Sequence, residues 1–130
     1  MGAKNHAIVL PDADKEDTIN ALIGACFGSA GQRCMAISVA IMVGDSQQWI
    51  PEIVEKCKNL TVGPGSKNVD ITPLNSPSAK DRVEGIIGKS TKEAKVLLDG
   101  RGYVVKGFEK GNFVGPTVID HAGPGMACYD

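Results

Sequence analysis

AIVLPDADKEDTINALIGACFGSAGQRCMAISVAIMV, residues 7–43, decides the fold. Ala7 to Leu10 is a short apolar run stopped by Pro11, the size of a buried strand. Asp12-Ala13-Asp14 then offers N-cap oxygens, and Glu16 and Asp17 fall in the first helical turn, where the helix dipole favours negative charge. Ile19, Leu22, Ile23, Cys26 and Phe27 recur at the spacing of one helix face, and Gly28 and Gly31 mark its end. Met35 to Val43 is apolar and rich in branched residues, which predicts a strand buried on both faces. Strand, helix and strand in that order predict a crossover between parallel neighbours.

The same alternation continues outward. Gly44-Asp45-Ser46 reads as a turn and cap, and Trp49, Ile50, Ile53, Val54 and Cys57 form a second helical stripe, with Pro51 tolerated in its first turn. Thr61 to Leu74 reads as a long polar loop. Ser76-Pro77 opens a third helix with Ala79, Val83, Ile86 and Ile87 on its inner face. Lys95 to Leu98, Tyr103 to Lys106 and Phe113 to Ile119 read as extended segments, the last demoted toward an edge by Pro116. The expected class is therefore α/β, a mainly parallel sheet with helices on its faces.

Composition narrows the function. In 130 residues, 14 Lys and Arg face 15 Asp and Glu, so no basic stripe is on offer to nucleic acid or to an anionic membrane. No run of 18 apolar residues occurs, and a transmembrane helix is not expected. Cys26, Cys34, Cys57 and Cys128 include no C-x-x-C pair, and only His6 and His121 could supplement them, which argues against a metal site. A chain without a signal segment argues against disulfides.

Chemistry concentrates in Phe27-Gly28-Ser29-Ala30-Gly31-Gln32-Arg33-Cys34-Met35. Cys26 and Cys57 lie on apolar helix faces and read as small buried hydrophobes. Cys34 instead follows glycines and a charge, on a small-residue turn ahead of a strand. Its peptide N–H could help form an oxyanion hole, and Arg33 adds positive potential that favours thiolate. Such a thiol suits attack on a carbonyl.

Phe27, Gly31, Gln32 and Cys34, as F-x-x-x-G-Q-x-C, resemble the active-site signature of the aldehyde dehydrogenase family. Gly2-Ala3-Lys4-Asn5-His6 with Pro11-Asp12-Ala13 is similar to the segment upstream of that cysteine, and Gly111 to Thr117 to a later strand. Gly-Ala-Lys-Asn-His joined to Gly-Gln-Arg-Cys-Met is most similar to the CoA-acylating branch that acts on malonate and methylmalonate semialdehyde. The resemblance implies Cys34 as the catalytic nucleophile, NAD and coenzyme A as co-substrates, and acetyl-CoA or propionyl-CoA as product. It implies a homotetramer, in the mitochondrial matrix of a eukaryote or the cytoplasm of a bacterium. Arg33 would either grip the substrate carboxylate bidentately or only tune the thiol.

Departures from the family pattern matter too. The glutamate that typical members place before Gly-Gly-Lys is not in this sequence, and Ser29 stands where many members carry asparagine. No G-x-G-x-x-G turn is present. Residues 1–130 are therefore expected to form a partial, nucleophile-bearing catalytic domain without the dinucleotide-binding domain, inactive in isolation. Two other readings stand beside this one. Cys34 could serve an NAD-independent thiol esterase or acyltransferase, or the chain could be a catalytically silent piece that docks through uncovered sheet edges.

Overall fold

In the computed structural model, which describes residues 2–130, the stretch quoted above folds as strand, helix, strand. Strand β1 is Asn5–Val9, helix α1 is Lys15–Phe27 and strand β2 is Ile37–Met42. The two strands pair in parallel, Ala7 beside Ala40 and Ile8 beside Ile41. The register slips between Asn5 and His6, which pair with Ile37 and Val39, so Ser38 is the extra residue of a bulge. Asp14 caps α1, its Oδ1 accepting the Asp17 N–H at 2.9 Å. A 3-10 turn, Gly44–Trp49, then leads into α2, Ile50–Lys58, with Pro51 in its first turn.

The chain divides into two units, Met1–Asn59 and Leu60–Asp130. In the first, Val9, Ile19, Leu22, Ala36, Val54 and Cys57 are buried; α1 packs on one face of the strand pair and α2 packs against α1. Ser46, fully buried, sets its hydroxyl 3.1 Å from the Val9 carbonyl oxygen and 2.9 Å from that of Val43, which ties the turn to the end of β1.

Met35 to Val43 is not buried on both faces as its composition predicts. Ser38, Ala40 and Ile41 are exposed, as are Ile8 and Leu10 of the neighbouring strand, and Met35 is 81% exposed in the turn before β2. The apolar pattern reads as a doubly covered strand, but the elements of this unit cover only one side.

In the second unit α3, Pro77–Glu93, begins at Ser76, whose hydroxyl accepts the Ala79 N–H at 3.1 Å. Strands β3, Lys95–Leu98, and β4, Val118–Asp120, pair antiparallel. Among the described strands, β1 and β2 are the parallel pair. Tyr103 to Lys106 forms no strand, and Phe113 to Ile119 contributes only its last residues, beyond Pro116. The segment read as a polar loop is ordered by its apolar residues: Val62 and Ile71 bridge in parallel and, with Leu74, are buried. Gly100 lies so close to Gly115 that a Cβ there would overlap the Gly115 carbonyl.

Candidate active site

Phe27 ends α1, and the chain reverses over Gly28–Gly31. Ser29 and Ala30 both sit at φ 54° and ψ 34°, followed by Gly31 at φ 71°. Three consecutive left-handed residues, two of them with a Cβ, are costly for L-amino acids, by roughly 1–2 kcal/mol each. Asparagine is among the few side chains that tolerate this region. Gln32 braces the turn, its Nε2 donating to the Ser29 carbonyl at 3.0 Å and its N–H to the same oxygen at 3.1 Å.

Cys34 is exposed, the second residue of a turn closed by the Ala36 N–H donating to the Arg33 carbonyl at 3.1 Å. Asn5 reaches the same turn from β1. Its Nδ2 donates to the Cys34 carbonyl at 2.9 Å and to the Ala36 carbonyl at 3.0 Å. In the sequence Asn5 counts only toward the Gly-Ala-Lys-Asn-His resemblance. A side-chain amide with two donors just before a strand is its one signal, and contact across 29 residues leaves no local trace.

Arg33, the other predicted site residue, is turned back onto the end of α1. Its Nη2 donates to the Gly24 carbonyl at 2.8 Å and to the Ala25 carbonyl at 3.1 Å, capping the C-terminal end of α1. Gly28 makes room for it, since a Cβ there would stand 2.6 Å from Nη2. Both two-pronged edges of a guanidinium include Nη2. While the cap holds, Arg33 can offer a carboxylate only a single-ended contact, and the expected bidentate grip requires it to release the helix.

The other cysteines differ from Cys34. Burial pushes the Cys26 thiol up, and burial with the Cys26 charge beside it pushes Cys57 up to about 11. Both are poor nucleophiles at neutral pH, as their places on apolar faces predict. The His6 Nδ1 lies 2.8 Å from the Lys4 carbonyl oxygen, and the His121 Nδ1 3.1 Å from an oxygen of Asp120. Among the described residues no cluster of His, Cys, Asp and Glu could hold a metal ion, and no helix is long and apolar enough to cross a membrane.

The strand–helix turn before α1 does not fit a pyrophosphate. In a nucleotide-binding strand–helix turn a pyrophosphate rests on free N–H groups at the helix start. Here the start of α1 is capped by Asp14 and flanked by Asp12, Glu16 and Asp17, so negative charge stands where phosphate would lie.

The chain belongs to the aldehyde dehydrogenase family, whose profile matches residues 1–130. It is 56% identical to the mitochondrial methylmalonate-semialdehyde/malonate-semialdehyde dehydrogenase [acylating] of Mus musculus, over 99% of this chain and 24% of that protein. Among solved structures, the methylmalonate-semialdehyde dehydrogenase of Oceanimonas doudoroffii superposes with a TM-score of 0.92 at 42% identity, over 98% of this chain and 27% of that one. A Sinorhizobium meliloti protein ascribed to the same activity, solved in complex with NAD, gives 0.92 at 39% identity over the same shares. The chain spans about a quarter of the length of the curated relatives it matches.

Proposed function

We propose that residues 1–130 are the nucleophile-bearing part of the catalytic domain of an NAD-dependent, CoA-acylating malonate and methylmalonate-semialdehyde dehydrogenase. The observation that carries this reading is Cys34, exposed on a turn braced by Asn5 and Gln32, in a chain of this family. Its thiolate adds to the aldehyde carbon, and the oxyanion that forms takes the peptide N–H of Cys34. A hydride leaves that carbon with its electron pair, reducing NAD and leaving a thioester on Sγ. The bond between the α-carbon and the carboxylate breaks, one water giving a proton to the α-carbon and hydroxide to the carboxyl group, which departs as bicarbonate; the thiolate of CoA displaces Sγ as a thiolate, giving acetyl-CoA or propionyl-CoA. NAD is held by residues outside 1–130, so this stretch alone does not reduce it. Arg33 holds the substrate carboxylate by one N–H and by charge. The protein works as a homotetramer, in the mitochondrial matrix of a eukaryote or the cytoplasm of a bacterium.

Competition at the thiol tests the reading. Methylmalonate semialdehyde is expected to slow labelling of Cys34 by iodoacetamide, and propanal, which lacks the carboxylate, to slow it less. In Arg33→Gln the two aldehydes should protect equally. Cys34 labelling indifferent to either aldehyde would overturn the assignment of the nucleophile. NADH formation by residues 1–130 alone would overturn the placing of the NAD site.

A further inference from the structure

The direction of a side chain is set by the two peptide planes that meet at its Cα, because each plane is rigid and only φ and ψ are free. At Cys34 both planes are tied. The plane before it is held through the Arg33 carbonyl, which accepts the Ala36 N–H at 3.1 Å. The plane after it is held through the Cys34 carbonyl, which accepts from Asn5 Nδ2 at 2.9 Å. The second hydrogen of that amide goes to the Ala36 carbonyl at 3.0 Å and fixes the far end of the turn. Asn5 itself cannot drift, since it is half-buried at the first pair of a parallel ladder and its neighbour His6 is offset from it by the Ser38 bulge.

We propose that Asn5 is a positioning residue for Cys34, aiming the thiol by clamping the carbonyls of Cys34 and Ala36. This rests on Cys34 being the nucleophile. The amide also turns the negative ends of two carbonyl dipoles toward β1. Asn5→Asp keeps the shape, loses both donors and puts a carboxylate against those carbonyls, near the thiol. It should therefore disfavour the thiolate as well as loosen the turn.

The test labels the protein with iodoacetamide across a pH series and reads Cys34 and Cys57 separately by mass spectrometry. No aldehyde, NAD or CoA is present, so the result does not depend on the dehydrogenase reading, which fails on its own if Cys34→Ala still forms NADH in the complete enzyme. Cys57, 0% exposed in the same unit, reports unfolding by becoming labelled. In Asn5→Asp the pH midpoint for Cys34 labelling should rise by about one unit, a roughly tenfold slower rate below the midpoint, with Cys57 still protected. Asn5→Ser, which keeps one donor, should fall between it and the parent. An unchanged Cys34 profile in either variant with Cys57 protected overturns the proposal. So does labelling of Cys57 in both variants, since the amide would then be holding the unit together rather than aiming the thiol.

Discussion

Cysteine is used in two opposite ways within one small unit, and burial decides which. Cys34 is exposed beside a charge, whereas Cys57 is sealed between helices with its thiol pushed up to about 11. That shift makes stability depend on pH. An unfolded cysteine titrates at about 8.5, so above that pH the unfolded chain sheds a proton that the folded chain retains. Stability should be level below about pH 8.5 and decline from there toward about pH 11, this one thiol contributing at most about 1.4 kcal/mol per pH unit. Cys26, shifted in the same direction by burial, adds to the decline. Urea unfolding of the parent and of Cys57→Ala across this range checks it. The variant should lose stability at neutral pH through the cavity it leaves, yet show the shallower alkaline slope. Equal slopes would mean that Cys57 does not hold its proton on folding.

Single elements are governed by the groups that join them. The Ser46 hydroxyl ties the turn after β2 to the end of β1, and Ser46→Ala should cost about 1–2 kcal/mol in urea unfolding, while Ser66→Ala, an exposed serine in the other unit, should cost almost nothing. Elements whose signals are local were legible in the sequence. Asp14 and Ser76 cap the helices they were expected to cap, Pro51 and Pro77 sit in first turns, and β1, β2 and β3 lie where apolar runs predict them. What was not legible depends on distant partners. Tyr103 to Lys106 has strand composition but no strand beside it, and the loop before α3 takes its order from Val62 and Ile71, nine residues apart. At the candidate site, Cys34 and Gln32 stand out in the sequence through the motif they carry. The commitment of Arg33 to the end of α1 and the clamp from Asn5 span 8 to 31 residues, and no spacing rule encodes either.

Across the whole molecule, the feature that separates this chain from an ordinary small domain is its uncovered sheet face. Ile8, 67% exposed, stands beside Ile41 in register, with Leu10 exposed next along β1. Open strands bearing paired isoleucines favour association with further strands. Replacing the pair by an opposite-charge couple, Ile8→Lys with Ile41→Glu, should raise the concentration at which light scattering detects association, without lowering the urea midpoint, because neither side chain is buried. Association at the parent's concentration would show that the isoleucine pair is not what brings copies together.

The left-handed run before Cys34 also has a stereochemical meaning. Positive φ is the native region of D-amino acids, so Ser29-Ala30-Gly31 is a stretch in which the chain follows the mirror-image preference. Glycine at position 31 meets that demand by having no handedness at all. A synthetic chain with D-alanine there would keep the turn and have fewer unfolded conformations to lose, so the loop carrying the thiol can be stiffened by inverting one stereocentre rather than by adding a contact.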